Sequence, residues 1–338
     1  MNNPLVSICI LFHNQREYVE RTLEGAFSQT YSPLEIVISD DGSTDGTSEL
    51  VTHLLQYYSK INKTIKITFN RNETALGMLG NREKAYALAN GELLVNADGD
   101  DISFPKRVES LVEAWLAKEK KPTMLTSEAI IIDENDRPLG QTHLHGKPIG
   151  ATLALASSVR DFFPPVCHDA AYHAHDDLVY HIRASLLGET LSVNQPLIFY
   201  RYGSGESSGG KYRKKMIRGF TGIVSGMKQI LLDIKTCQGK IPPEKLIAIQ
   251  KRAEKEIAFS EAILPLWESS SFLTRVKTCF QTKYYVHGIT LFLVCWILIL
   301  PLPLGDLLFY CGERIKRYFS LKRARNLPQV NSILRKKN

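Results

Sequence analysis

The chain alternates short apolar runs with segments in which apolar residues recur at helical spacing. Between the runs, apolar positions fall three or four residues apart, as on one face of a helix. Strands that alternate with helices predict right-handed crossovers and a mostly parallel, Rossmann-like α/β sheet. Four runs of strand length occur in the first hundred residues: LVSICILF (5–12), LEIVIS (34–39), TIKITF (64–69) and ELLVNA (92–97).

The second part of the chain predicts fewer strands and more helix. TMLTSEAIIID at 123–133 predicts a further strand, and DDLVYHIRASLLGE at 176–189 returns to helical spacing. We therefore predict four regions along the chain. They are an α/β catalytic body at 1–210, a helical region at 211–280, a hydrophobic segment at 281–311 and a basic tail at 312–338.

Polar clusters follow three of the predicted strands. They are HNQ at 13–15, DDGS at 40–43 and DGDD at 98–101. Ligands of open α/β sheets bind at the carboxyl ends of the strands. We therefore expect the three clusters to be neighbours in the fold and to form a site.

The last cluster contains three aspartates that repel one another. Asp98 and Asp100 can reach one divalent cation, and Asp101 can orient the site. Hard oxygen ligands favour Mg²⁺ or Mn²⁺, and so few protein ligands leave positions open for phosphate oxygens. The alternative interpretation is that these residues form a solvated acidic turn whose aspartates cap a helix.

The net charge of +7 belongs to the end of the chain. Residues 312–338 carry +8, which leaves −1 for everything before them, so we predict no nucleic-acid partner. GITLFLVCWILILPLPLG at 288–305 lacks charge but is short for a full span and contains prolines. We predict a re-entrant or in-plane anchor, with the basic tail on an anionic membrane surface. The six cysteines are scattered without regular spacing, which favours a protein that lies in the reducing cytosol.

Four stretches together resemble a known family. LFHN, AFSQTY, EIVISDDGSTDGT and ANGELLVNADGDD, within residues 4–110, resemble the nucleotide-sugar-binding half of family 2 glycosyltransferases, which have the GT-A fold. The resemblance implies an inverting enzyme that uses a nucleotide-diphosphate sugar, with a UDP- or dTDP-sugar favoured, and Mn²⁺ or Mg²⁺. Residues 1–110 would bind the donor, and 111–210 would carry the acceptor site and base. The chain lacks the QxxRW sequence of processive synthases, which favours addition of a single sugar.

The resemblance also implies roles for individual residues. Asp41 would accept a hydrogen bond from the base, with Asp40 and Ser43 shaping the loop, whereas Asp98 and Asp100 would face the ribose, the metal and the diphosphate. A surface salt bridge is an alternative role for Arg82. The donor-binding residues implied are Asp40, Asp41, Ser43, Asn81, Arg82, Asp98, Tyr200 and Arg201.

The catalytic base is expected in HDDLVYHIRASLLG, which resembles the family's ED motif. Asp177 takes the position of the base and Asp176 that of the preceding glutamate. Tyr180 replaces a leucine, and Arg183 matches as a supporting residue. Both aspartates also suit the N-terminus of a helix, where the dipole favours negative charge, so a structural role is the alternative.

These expectations describe a metal-dependent transferase of bacterial surface-polysaccharide assembly. It would act on a glycan or lipid-linked acceptor at the cytoplasmic face of the inner membrane, as a peripheral or monotopic protein. A sugar-phosphate nucleotidyltransferase is an alternative, although HNQREYV has no glycine with which to hold a triphosphate after the first strand. A non-catalytic scaffold of the same fold is another, but the carboxylate clusters are all present.

Overall fold

The computed structural model describes residues 3–141, 149–202 and 212–268, together with 271, 273–274 and 276–278. The predicted hydrophobic segment and basic tail lie outside these residues. The strands that the structure describes are β1 (Val6–Phe12), β2 (Leu34–Asp40), β3 (Lys66–Arg71), β4 (Leu93–Asp98), β5 (Ile102–Ser103), β6 (Thr123–Ile132), β7 (Pro138–Gln141), β8 (Ala154–Ala156) and β9 (Glu189–Arg201).

Helices separate most of these strands. In the same residues they are α1 (Val19–Phe27), α2 (Thr47–Ile61), α3 (Met78–Leu88), α4 (Arg107–Leu116), α5 (Ser157–Phe162), α6 (His168–His173), α7 (Asp176–Leu187), α8 (Tyr212–Thr236) and α9 (Pro243–Glu268). The four N-terminal strands occur where the apolar runs predict them, displaced by no more than two residues. The helix α3 begins at Met78, directly after Gly77.

The strands form one sheet in the order β3-β2-β1-β4-β8-β6-β9-β5, and β7 pairs with β6. β1 is parallel to both β2 and β4, and every residue of β1 and β2 is buried. Strands covered on both faces read as continuous apolar runs rather than as alternating ones, which is the pattern that the sequence shows. β8 is antiparallel to β4 and β6, so the sheet is mixed beyond its parallel half.

The C-terminal part of the described chain is helical, as the sequence predicts. The long helices α8 and α9 pack against each other, and α8 also packs against α6 and α7. None of the helices in the described residues is long and apolar enough to cross a membrane.

Candidate active site

Two acidic loops begin on either side of the end of β1. In the strand register, Phe12 lies opposite Asp40 of β2, and Leu11 lies opposite Asp98 of β4. Neighbouring strands lie about 4.8 Å apart, so the two aspartates start about 10 Å from each other. The three polar clusters of the sequence therefore follow three adjacent strands.

Asp40 holds the loop after β2 in shape. Its side chain is fully buried and accepts hydrogen bonds from the hydroxyl groups of Ser43 and Ser48 and from the Ser43 backbone N–H, at 3.2 Å in the last case. The loop turns at Gly42, which has a φ of +69°, a value that favours glycine. These bonds fix the shape of the loop next to Asp41.

Asp41 joins this loop to the one that follows β3. Its carboxylate accepts hydrogen bonds from Asn72 Nδ2 at 2.8 Å and from the backbone N–H groups of Leu76 and Gly77 at 2.8 and 3.0 Å. A carboxylate offers about four acceptor positions, so three of them serve the protein. The base-binding role that the resemblance implies for Asp41 depends on the fourth position or on movement of this loop.

Asn81 supports the same corner from α3. Its side chain is buried, and its Oδ1 accepts from Ser39 Oγ at 2.6 Å and from Asn72 Nδ2 at 3.0 Å. Its Nδ2 donates to the Ser39 carbonyl oxygen at 3.1 Å. Asn81 is thus part of a buried polar network, and Asn72 is a member of it that the sequence motifs did not single out.

The HNQ cluster packs onto the DDGS loop. The Asn14 N–H donates to Ser43 Oγ at 2.8 Å, and Asn14 Oδ1 accepts from the Thr44 N–H at 2.9 Å. The exposed ring of His13 lies at the same place, with Nδ1 2.8 Å from the carbonyl oxygen of Asp41. Because a carbonyl oxygen only accepts, His13 Nδ1 carries the proton.

Arg82 supplies positive charge to the aspartates after β4. It is fully buried, and its Nη2 donates to Asp98 Oδ1 at 2.7 Å while Nη1 donates to the Cys9 carbonyl oxygen at 3.1 Å. Arg82 does form a salt bridge, as the alternative prediction had it, but the bridge is not at the surface on the arginine side because Arg82 is fully buried. Asp98, by contrast, is about one-third exposed.

Asp101 and Arg107 lie beneath the same loop. Burial, together with the negative charges of Asp100 and Asp98, raises the pKa of the Asp101 carboxyl well above its ordinary value. Burial lowers the pKa of Arg107 to about 10 against the opposing charge of Asp101. Asp101 Oδ2 and Arg107 Nε are both buried without a hydrogen-bond partner in the described residues. The sequence motifs do not include Arg107. The only feature of the sequence that points to it is its position nine residues after Asp98.

Arg201 fixes the loop from β9. Its backbone N–H donates to Asp101 Oδ1 at 2.7 Å, and its Nε donates to the Asp100 carbonyl oxygen at 3.0 Å. The rest of the buried guanidinium binds the Asp133 carbonyl oxygen and Asp136 Oδ1, at 2.7 and 2.6 Å. The neighbouring Tyr200 is half-buried against a small apolar cluster. These hydrogen bonds all join Arg201 to other parts of the protein. Arg201 can therefore contact a nucleotide sugar only if some of them break.

The aspartates can be tested as metal ligands. Among the described residues, no group of three or more His, Cys, Asp or Glu side chains is arranged to hold a metal ion by itself. Mg²⁺ is often held by one or two carboxylates plus the phosphates of a substrate. Asp98 and Asp100 supply the two carboxylates of that sparser ligand set, and the same loop also contains Asp101 Oδ2, which is buried without a hydrogen-bond partner in the described residues.

The expected base lies at the start of α7. Asp176 and Asp177 are its first two residues, and Asp177 is half-buried. Arg183, further along α7, is buried and forms two hydrogen bonds with the buried Asp233 of α8, at 2.8 and 3.0 Å. Burial alone would lower the pKa of Arg183, but the bonds and charge of Asp233 raise it. Arg183 thus joins α7 to the helical region.

Two glycines let α8 approach the start of α7. A β-carbon on Gly222 would lie 2.7 Å from His175 Nε2 and 2.9 Å from the His173 carbonyl oxygen. One on Gly226 would lie 3.0 Å from Leu178 Cδ2. The glycines are four residues apart and therefore lie on one face of the helix, a spacing that the sequence shows but that the family motifs do not include.

Comparisons with known proteins agree with this architecture. The family model described as "Glycosyl transferase family 2" matches residues 7–172. An uncharacterized glycosyltransferase of Nostoc sp. is 31% identical over 163 residues, which cover 47% of this chain and 48% of the relative. The Escherichia coli protein named UDP-Glc:alpha-D-GlcNAc-diphosphoundecaprenol beta-1,3-glucosyltransferase WfaP is 35% identical over 108 residues, which cover 32% of this chain and 40% of the relative.

Among solved structures, a mannosyltransferase of Pyrobaculum calidifontis in complex with GDP-Man and Mn²⁺ matches 96% of this chain and 85% of its own, with a TM-score of 0.55 and 14% identity. At 14% identity, this similarity shows only that the two proteins share a fold, which is GT-A. The chain spans about half or less of the length of the curated relatives that it matches. The match of the family model assigns residues 7–172 of this protein to glycosyltransferase family 2.

Proposed function

We propose that this protein is an inverting glycosyltransferase that transfers a single sugar from a nucleotide-diphosphate sugar to a hydroxyl group of a lipid-linked glycan. The proposal is carried by one observation, the start of two acidic loops on either side of β1, each held by buried hydrogen bonds. Such an edge of an α/β sheet suits a nucleotide and its phosphates. The GDP-Man of the P. calidifontis structure and the UDP-Glc in the WfaP name support a nucleotide sugar as donor.

The metal in this proposal is Mn²⁺ or Mg²⁺, held by Asp98 and Asp100. Once bound, it would supply positive charge to a diphosphate leaving group. The Mn²⁺ of the P. calidifontis structure supports this choice. Arg82 neutralises part of the acidic loop through Asp98, which lowers the negative charge that the diphosphate would meet there.

Asp177 is the base in this proposal. It takes the proton of the acceptor hydroxyl, whose oxygen forms the new bond to the anomeric carbon as the bond to the diphosphate breaks on the opposite face. Displacement from the opposite face inverts the configuration. A positioned base of this kind contributes roughly 10²–10⁴-fold to the rate.

The proposed acceptor is a glycan on a lipid carrier of bacterial surface-polysaccharide assembly, supported by the diphosphoundecaprenol in the WfaP name. The proposed location is the cytoplasmic face of the inner membrane, with residues 281–311 as a monotopic anchor and the basic tail on anionic lipid. A reporter fused after Asn338 is expected to be cytoplasmic. A periplasmic reporter would reject this topology.

Donor binding and transfer test the proposal separately. Calorimetry with UDP-, dTDP- and GDP-sugars, with and without Mn²⁺, should identify one donor whose binding requires the metal. Asp100→Ala should abolish this metal-dependent binding, whereas Asp177→Asn should keep donor binding and lower transfer by about 10² or more. Asp161→Asn, which changes an exposed carboxylate paired with Arg160, is the matched control and should change neither. Absence of binding by every donor, or full transfer by Asp177→Asn, would contradict the proposal.

A further inference from the structure

Two consecutive residues of α3 bind opposite parts of the candidate site. Arg82 donates to Asp98, in the acidic loop after β4. Glu83 accepts a hydrogen bond from the hydroxyl of Tyr180 on α7 and another, at 3.4 Å, from the N–H of Val166. The single turn of α3 that contains both residues therefore contacts the expected donor side and the helix of the expected base.

Tyr180 is placed to hold α7 against α3. It is buried and lies three residues after Asp177, one helical turn along the same face. Its ring lies 5.3 Å from that of Tyr86, a residue of α3. Burial and the negative charge of Glu83 raise the pKa of Tyr180 well above its ordinary value, so the hydroxyl keeps its proton and donates it to the hydrogen bond.

We infer that Tyr180 is a positioning residue, whose hydrogen bond to Glu83 fixes the first turn of α7, and with it Asp177, relative to the Arg82–Asp98 pair. The inference rests on the proposed function of Asp177. The family motif that this segment resembles has leucine at this position, and leucine cannot form such a hydrogen bond. The Tyr180–Glu83 hydrogen bond is therefore a feature of this chain and not of the motif. Displacement of a reacting group by about 1 Å can cost about 10²-fold in rate.

Substitutions can separate the hydrogen bond from packing and charge. Tyr180→Phe keeps the ring and removes the donor, Glu83→Ala removes the acceptor, and Glu83→Gln keeps an oxygen that accepts. Tyr31→Phe is the control, since it removes a tyrosine hydrogen bond, 2.6 Å to the Pro4 carbonyl oxygen, near the opposite end of β1. The measurements on the full chain are kcat, the Kd of the donor that the wild type uses, and amide hydrogen exchange of α7.

Tyr180→Phe and Glu83→Ala are expected to lower kcat by about tenfold or more while the donor Kd changes by less than about twofold. The double variant should be no slower than the slower single variant, and Glu83→Gln and Tyr31→Phe should retain most of the wild-type kcat. Amide exchange in α7 should be faster in Tyr180→Phe than in the wild type and unchanged in Tyr31→Phe.

A wild-type kcat in Tyr180→Phe, or losses that multiply in the double variant, would overturn the inference. So would unchanged amide exchange in α7, which can be measured whether or not the protein transfers a sugar. Failure of the wild type to transfer from any donor would instead count against the proposed function, so the two failures are distinguishable.

Discussion

Arg82 lies 2.7 Å from Asp98 although it has no exposed surface of its own. This pair balances part of the negative charge of a loop with three aspartates in four residues, where a buried carboxylate without a partner would be costly. Two more buried arginines approach the loop from α4 and β9, so three elements contribute positive charge. The arginines are Arg82, Arg107 and Arg201.

Substitution of Arg82 should show how far the loop depends on this pair. Arg82→Met removes the hydrogen bonds that Arg82 donates to Asp98 and to the Cys9 carbonyl oxygen, and we expect a loss of about 2 kcal/mol in the free energy of unfolding. The figure is below that of a fully buried pair because Asp98 is about one-third exposed. Adding Asp98→Asn should restore part of the loss, and urea denaturation measures both.

The control for this cycle is Arg21→Met. Arg21 is exposed and lies 3.7 Å from its acidic partners, so its loss should cost less than about 1 kcal/mol. If the effects of Arg82→Met and Asp98→Asn were simply additive, the pair would carry no coupling energy.

A second prediction concerns the contact between α8 and the start of α7. Gly222→Ala places a β-carbon 2.7 Å from His175 Nε2, so either α8 or the His173–His175 turn must move. We expect destabilisation of about 1–3 kcal/mol and a lower kcat, since Asp177 follows this turn. Thermal unfolding and the rate of transfer are the measurements.

Gly219→Ala is the matched control in the same helix. Nothing lies within 4 Å of a β-carbon on Gly219, so the change should stabilise α8 by up to about 1 kcal/mol through helix propensity. Equal effects of the two substitutions would show that the close approach of α8 does not matter.

The parallel half of the fold was predictable because its signals are local. β1 and β2 are buried on both faces, and they read as apolar runs with a polar cluster directly after each. Right-handed crossovers and a mostly parallel sheet then follow from general rules of α/β folds. The same locality explains why Asp40 and Asp98 were expected at strand ends on the same edge of the sheet.

Contacts between distant segments were not predictable in this way. Arg183 was expected to support the base, but its partner is Asp233, fifty residues further along the chain. Glu83 and Tyr180 are likewise separated by 97 residues, and no spacing rule pairs them. Arg201 was expected at the donor, yet its bonds to Asp100 and Asp136 depend on how β9 lies beside β6, which only the tertiary structure determines.

The Arg183–Asp233 pair gives a third prediction. Both side chains are buried, so Arg183→Met leaves an uncompensated buried carboxylate and should cost about 3–5 kcal/mol. Replacing both residues with apolar ones, as Arg183→Met with Asp233→Leu, should recover most of that loss in urea denaturation. A double variant as unstable as Arg183→Met alone would mean that packing rather than charge determines the cost.

Glu35 gives a prediction on pH. Its side chain is buried at the end of the sheet opposite the acidic loops, where Ser7 Oγ donates at 2.6 Å and Asn90 Nδ2 donates at 3.1 Å. Burial alone would raise the pKa of Glu35, but the hydrogen bonds from Ser7 and Asn90 and the charge of Lys66 outweigh it and lower the pKa below the ordinary value. The folded state therefore binds fewer protons than the unfolded state just below the ordinary pKa.

The contribution of Glu35 to stability should be complete above its unfolded pKa of about 4.3 and should be lost as the pH falls through the lowered folded value. The difference in unfolding free energy between the wild type and Glu35→Gln should then be fully present at about pH 7 and should shrink below about pH 4. Urea denaturation across this range measures it, and Glu49→Gln, an exposed glutamate near Arg71, is the control. A difference that stayed constant down to about pH 3 would show that the ionised Glu35 does not stabilise the fold.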